Sequence, residues 1–251
     1  MIFFPNAKIN LGLDIIEKRP DGFHNIETLL VPCPEYSDVL EVLYADELSI
    51  HLYGIPLDGD PMENLCVKAY RLLAGIYDIP PVAIHLYKKI PVGSGLGGGS
   101  SDAAATLILL NRMFSLGLTD EVLAGHAASL GSDCPFFIYN RPMFATGRGE
   151  VLSPVEIALD DYRIEVVTPD IFISTKEAYA GVTPRKPEVS ILEILKKPVE
   201  EWRGLLKNDF EESLFLKYPG LAAEKEALYA RGAVYASMSG SGSSLYGLFK
   251  K

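Results

Sequence analysis

Cysteine is scarce in this chain. There are three, Cys33, Cys66 and Cys134, and no two stand as C-x-x-C. An odd, sparse set without ligand spacing excludes a disulfide framework and a zinc site, and no metal-ligating residues are assigned. Long apolar runs are missing too. The longest, Ala103 to Leu110, is interrupted by Thr106 and falls far short of the ~20 residues that span a bilayer. Residues Met1 to Lys8 lack the charged and apolar regions of a signal peptide. The expectation is a soluble, reducing, cytoplasmic setting with no membrane partner. Positive charge is also in deficit: 23 Lys and Arg against 33 Asp and Glu give a net charge of −10. Such a surface repels a polyphosphate backbone, which argues against a nucleic-acid partner. The same charge sits awkwardly with any phosphorylated ligand. No repeat or low-complexity tract is present.

What remains is an ordinary globular composition of 48% apolar and 22% charged residues over 251 positions. That suffices for one large or two small domains. Period-two alternation predicts strands over 8–15, 39–43, 48–52 and 83–87, and again over 161–169. Helical spacing (Leu65, Ala69, Leu72, Leu73, Ile76) predicts a helix over 64–77. Others are expected over 100–114 and 119–130, the latter capped by Thr119. Further helices are expected near 175–180, 190–195, 199–206 and 219–231. A Gly/Ser turn at 239–244 lies between two short strands. The mixture has no regular βαβ period, so an α+β fold is expected. A division near residue 155 gives domains 1–155 and 156–251.

The strongest local feature is Pro91-Val92-Gly93-Ser94-Gly95-Leu96-Gly97-Gly98-Gly99-Ser100-Ser101. Five of the seven residues from 93 to 99 are glycine. Glycine permits positive φ and close approach of backbone to ligand. An apolar helix follows at once, so exposed N–H groups lead into the positive end of a helix dipole. That arrangement binds phosphate without Lys or Arg. The Walker A pattern is absent. G-x-G-x-x-G spacing is present, but the acidic residue of a dinucleotide site does not follow. The alternative, a flexible linker, fits poorly between a strand and a helix start.

These residues resemble the phosphate loop of the GHMP superfamily of small-molecule kinases, which includes galactokinase and the homoserine, mevalonate and phosphomevalonate kinases. Pro5-Asn6-Ala7-Lys8-Ile9-Asn10, Arg19-Pro20-Asp21-Gly22-Phe23-His24, Gly131-Ser132-Asp133-Cys134-Pro135 and Met238-Ser239-Gly240-Ser241-Gly242 are similar to one branch of it. That branch phosphorylates the 2-hydroxyl of a cytidine-diphosphate-linked methylerythritol in non-mevalonate isoprenoid synthesis. The resemblance covers nearly the whole chain. It implies a ribosomal protein S5 domain 2-like N-terminal domain and a ferredoxin-like C-terminal domain. ATP and Mg2+ are the implied cofactors, with Mg2+ held by ATP phosphates, water and a loop serine.

The resemblance also implies roles. Asp133 is the base that accepts the substrate hydroxyl proton, and Lys8 is its cationic partner. Taken alone, Asp133 reads as a turn aspartate and Lys8 as a solvated strand lysine. Residues 91–101 cradle the phosphates, with Asn64, Lys88 and Asn111 near the nucleoside of ATP. Phe23 stacks on cytosine, His24 bonds its edge and Tyr179 covers its other face. Asn10, Thr175, Gly240 and Ser241 complete the substrate contacts. Homoserine or mevalonate kinase is the alternative activity. A non-catalytic nucleotide-binding protein is the alternative class, against which Lys8 and Asp133 argue. The oligomeric state is not read from the sequence.

Overall fold

Alternation of apolar and polar residues, interrupted by Gly and Pro, partitions the chain into eleven strands and eight α-helices. The computed structural model describes all 251 residues. In order the strands are β1 (Ile2–Phe3), β2 (Asn6–Lys18), β3 (His24–Ser37), β4 (Val39–Tyr44), β5 (Ser49–Gly54), β6 (Val82–Lys88), β7 (Met143–Thr146), β8 (Val151–Pro154), β9 (Tyr162–Val167), β10 (Tyr235–Met238) and β11 (Leu245–Lys250). The helices are α1 (Leu65–Ala74), α2 (Gly98–Met113), α3 (Asp120–Ala128), α4 (Cys134–Tyr139), α5 (Thr175–Ala180), α6 (Ile191–Ile194), α7 (Phe210–Lys217) and α8 (Pro219–Ala230).

The chain gathers into two units. One comprises Met1–Ala7, Pro32–Val92 and Gly97–Arg141; the other comprises Lys8–Val31, Gly93–Leu96 and Pro142–Lys251. The units do not follow a single cut near residue 155. The reason is that β2 bonds to the C-terminal part of the chain: Leu13 N donates to Lys207 O at 2.8 Å, and Asp209 N donates to Leu13 O at 2.9 Å.

In the first unit the sheet order is β1-β4-β6-β5. β4 and β6 run antiparallel, with Leu40 opposite Leu86 and Val42 opposite Ile84. All four side chains are buried. β5 joins β6 in parallel register. Helix α2 is buried from Ser101 to Leu107 without a polar face, as expected of a helix enclosed on all sides. Its three consecutive alanines permit close packing against α1 and α4.

In the second unit a sheet of order β10-β11-β9 carries α8 on β10 and β11. Leu13, Ile15, Phe210, Leu214, Leu221, Leu228, Met238 and Leu245 form much of its core. The helix expected at 199–206 is a single 3-10 turn, Val199–Glu201, and Gly204 at φ 82° prevents its continuation. Six elements lay outside the sequence expectations: β1, β3, β7, β8, α4 and α7. β3 contains Pro32 and Pro34, residues that argue against a strand. α4 has only six residues, all but one buried, so it shows no periodicity.

Phe210 is buried, and Tyr179 meets it edge to face at 4.9 Å between centroids. Phe210→Ala is expected to cost about 3–5 kcal/mol of stability. Urea denaturation followed by circular dichroism measures this. An unchanged midpoint contradicts it.

Candidate active site

The glycine loop leaves β6 and enters α2. Gly93, Gly95 and Gly97 all have positive φ, at 67°, 80° and 74°. At Gly95 a Cβ would stand 2.0 Å from the Ser239 carbonyl oxygen, so no other residue fits there. Three consecutive carbonyls of the loop, those of Ser94, Gly95 and Leu96, are held. Ser244 N donates to Ser94 O at 3.0 Å, and Lys8 N donates to Leu96 O at 2.9 Å. Gly95 O accepts from Lys8 Nζ at 2.9 Å and from Ser239 Oγ at 2.8 Å. In a planar trans peptide the C=O and the following N–H point in opposite directions. The N–H groups of Gly95, Leu96 and Gly97 therefore point away from these anchors. Helix α2 then starts without a side-chain cap, whereas Asn64, Thr119, Ser174 and Ser190 cap α1, α3, α5 and α6. The first-turn N–H groups of α2 have no intrahelical partners. Loop N–H groups and an uncapped helix start are each the kind of backbone donor that binds anions.

The flanks of the loop are fixed by charge. Asp38 lies between β3 and β4 with no exposed surface. Its Oδ1 accepts from Lys89 N at 2.5 Å and Ile90 N at 2.9 Å, and its Oδ2 accepts from Lys88 Nζ. Lys88 Nζ also donates to Asp102 Oδ2 at 2.6 Å, in the first turns of α2. Lys88 is thus 2% exposed, an ammonium between two carboxylates. Burial pulls the Lys88 pKa down, but Asp102 and Asp38 outweigh it and leave the net shift upward. Burial, with Asp38 as a second negative neighbour, raises the Asp102 pKa from 3.8 to about 7 against the pull of Lys88. Asp102 Oδ1 has no hydrogen-bond partner.

The other expected nucleotide contacts have local tasks. Asn64 Oδ1 accepts from Cys66 N at 2.9 Å. Asn111 holds both the N–H and the C=O of Leu118, each at 3.0 Å. Val92 is exposed, beside a partly buried Pro91; Ser101 is buried, and Gly98, Gly99 and Ser100 complete the first turn of α2. In the same unit, Asp133 is half-buried and directly precedes α4. The Cys134 thiol lies against Ser100, and burial pushes its pKa to about 11. It remains a thiol, as expected of a residue with no catalytic part.

In the second unit, Lys8 is 4% exposed, and its Nζ donates to Asn10 Oδ1 at 2.7 Å. It is not a solvated strand lysine. Asn10, expected at the substrate, is itself buried and engaged with Lys8 and Thr28. Asn208 Nδ2 donates to Met238 O and Gly240 O, each at 2.8 Å, and so shapes the turn carrying Gly240 and Ser241. Gly240 lies against Asn10 and Gly95, and Ser241 is partly exposed. His24 stacks on Tyr179 at 4.7 Å and 21°. Two rings that close admit no third ring between them. Phe23 is 55% exposed, with the Arg148 guanidinium 4.9 Å from its ring centre. Thr175 is exposed at the start of α5. Burial, then Lys18, lowers the His24 pKa, so its imidazole is neutral near pH 7 and both donates and accepts.

Asp38, Asp102 and Thr28 were not singled out in the sequence. Asp102 stands inside the loop motif, the one available signal. Asp38 and Thr28 carry none.

The GHMP kinases N terminal domain matches residues 64–141, and the GHMP kinases C terminal domain matches residues 191–251. The chain belongs to the GHMP kinases. It has the α+β architecture and the two domains of that family. This GHMP kinase is 54% identical over 254 residues to a protein from Bacteroides thetaiotaomicron named 4-diphosphocytidyl-2-C-methyl-D-erythritol kinase, covering 100% of this chain and 92% of the relative. A protein of the same name from Parabacteroides distasonis is 51% identical over 251 residues, with 100% and 92% covered. A crystal structure of 4-(cytidine 5'-diphospho)-2C-methyl-D-erythritol kinase superposes with a TM-score of 0.82 at 33% identity, covering 99% of this chain and 90% of that one. No helix is long and apolar enough to cross a membrane.

Two outcomes follow from this geometry. Gly95→Ala forces a side chain into a position with φ of 80° and a backbone clash; the KM for ATP is expected to rise about tenfold or more, which is about 1.4 kcal/mol. A KM within a factor of two rejects the loop as the cradle. The second concerns pH. A carboxyl whose pKa rises from 3.8 to about 7 on folding holds its proton more tightly when folded. Its ionisation therefore costs stability progressively as pH climbs through that interval, and the cost is constant above it. Asp102→Asn keeps an oxygen for Lys88 but cannot ionise. Across this interval the melting temperature of the wild type should fall relative to that of the variant; parallel curves exclude the assignment.

Proposed function

We propose that this GHMP kinase transfers the γ-phosphoryl group of ATP to the 2-hydroxyl of 4-diphosphocytidyl-2-C-methyl-D-erythritol, in non-mevalonate isoprenoid precursor synthesis. The backbone cradle at residues 95–99 carries the reading on the nucleotide side. Phosphoryl transfer needs little covalent chemistry from the protein, and its parts are positioning and charge. Full-length relatives at 54% and 51% identity carry that substrate's kinase name, which favours it over homoserine or mevalonate kinase. The reaction class fits a soluble cytoplasmic enzyme.

Each step has a residue. Asp133 accepts the proton of the 2-hydroxyl as that oxygen attacks the γ-phosphorus and ADP departs. Lys8 supplies positive charge for the developing alkoxide. The N–H groups of the loop and the first turn of α2 hold the phosphates, with Ser100 and Ser101 in that turn. Asn64, Lys88 and Asn111 shape the walls of the nucleoside end through the bonds they make, Lys88 from within the buried triad. The cytosine stacks on Phe23, and neutral His24 bonds its edge. A base that used Tyr179 as well would have to part the His24–Tyr179 stack. Thr175, Gly240 and Ser241 line the approach of the sugar alcohol, and Asn10 acts through Lys8.

No group of three or more His, Cys, Asp or Glu side chains converges to hold a metal ion. Mg2+ fits as an ion carried by the nucleotide, with phosphate oxygens and water as most of its ligands and the Ser100 hydroxyl as a protein ligand. It would neutralise charge on the β- and γ-phosphates.

ATP consumption, assayed in parallel with the cytidyl substrate, homoserine and mevalonate, tests the assignment. Turnover is expected only with the first; turnover confined to either of the others refutes it. Asp133→Asn should lower kcat by about 10²–10⁴ while ATP binding, followed by calorimetry, stays within about threefold. Loss of ATP binding in that variant removes Asp133 from the role of base.

A further inference from the structure

We infer that Thr28 is a positioning residue that sets the direction of the Asn10 amide and through it the seat of Lys8; the inference rests on the reading of Lys8 above. Thr28 lies on β3 opposite β2 and is 1% exposed. Its hydroxyl has one proton. That proton is committed to Gly12 O at 2.6 Å. Toward Asn10 the hydroxyl can therefore only accept, and it accepts from Asn10 Nδ2 at 3.0 Å.

The consequence passes along the side chain. An amide has a donor end and an acceptor end of nearly the same shape, so packing alone does not choose between its two orientations. Thr28 makes the choice from one end of the amide, in agreement with Lys8 at the other. With Nδ2 held at Thr28, Oδ1 faces Lys8 Nζ at 2.7 Å and the Ser239 hydroxyl at 3.4 Å. The reversed amide would set NH2 against NH3+, two donors with no acceptor between them. Asn10 is held at its backbone as well, since Tyr246 Oη donates to Asn10 O at 2.7 Å. The ring of the amide's neighbours is closed by Gly95 O, which takes the second proton of Lys8 and the proton of Ser239. Lys8, Asn10, Thr28, Ser239 and Tyr246 are all buried, where an unmatched polar pair is most costly. A chain of single-proton commitments thus starts at the Gly12 carbonyl and ends at the ammonium of Lys8.

Direct contact with substrate plays no part in this role, so the test is a kinetic cycle. Thr28→Val keeps the shape and removes the proton. It should lower kcat about tenfold or more, with the KM for ATP and for the cytidyl substrate each within about threefold. Thr28→Ser, which keeps the hydroxyl, should recover most of that rate. In an Asn10→Asp background both ends of the side chain are oxygen, so there is no orientation to choose. Thr28→Val is expected to cost no further rate there. An equal cost in both backgrounds, or a folded Thr28→Val with wild-type kcat, overturns the inference. Thr28→Ala removes the same proton without a second methyl beside Asn10, and it reads the same cycle should Thr28→Val not fold. Lys8→Met separates the two readings. If it keeps the wild-type rate, the role of Lys8 fails and this inference with it. If it is inactive while Thr28→Val is not impaired, this inference alone fails.

Discussion

Two buried carboxylates share one ammonium, and the path of the glycine loop depends on that sharing. Asp38 binds the Lys88 ammonium and the next two backbone N–H groups, which fixes how β6 ends. The same ammonium reaches Asp102, which fixes how α2 begins. Both flanks of a flexible, glycine-rich segment are therefore tied to one charged centre. Buried ion clusters are poor sources of stability, because desolvation consumes most of the attraction. Their value lies in geometry, since any displacement leaves a charge unmatched. The triad carries one more negative charge than positive when all three groups are ionised. That imbalance, added to burial, is why Asp102 holds a proton so far above the usual carboxylate range.

The second constraint is the direction of the loop's peptide planes. Carbonyls of Ser94, Gly95 and Leu96 are each held by a donor. Planarity then sends the following N–H groups the other way. Donors so directed would let a chain of net charge −10 receive a phosphate group. Oriented amides and a helix terminus act at short range, whereas a diffuse surface charge is screened by salt within about 10 Å. Net charge spoke against a polymer of phosphates and was silent about a single nucleotide.

Much of this was legible in the sequence, for identifiable reasons. The loop, α1, α2 and α3 were read from glycine spacing, apolar period and the Thr119 cap, all local signals. β3 was not, because its buried central stretch does not alternate and its prolines argue against a strand. The division into units was not, because strand pairing between distant segments leaves no local trace. Lys8 and Lys88 looked like surface lysines. Their burial depends on Gly95, Asp38 and Asp102, each brought in from elsewhere in the chain. Residues within motifs could thus be named from the sequence, while those that hold them in place were hidden.

Thr28 is the clearest case. Its neighbours in sequence, Glu27 and Leu29, say nothing of Lys8, twenty positions away. What gives it meaning is the carbonyl of Gly12. Gly12 has φ of 69° in the middle of β2, and a Cβ there would stand 2.6 Å from Leu206 Cδ1. Only glycine holds that backbone, a local departure from strand geometry of the kind that re-aims neighbouring groups. The Gly12 carbonyl accepts the threonine proton, the threonine oxygen then accepts from the amide, and the amide oxygen accepts from the ammonium. Each bond fixes the sense of the next. The polarity of the whole series originates in one carbonyl whose direction a side chain at position 12 would disturb. A requirement for glycine in a strand thereby becomes a requirement on where a lysine ammonium sits.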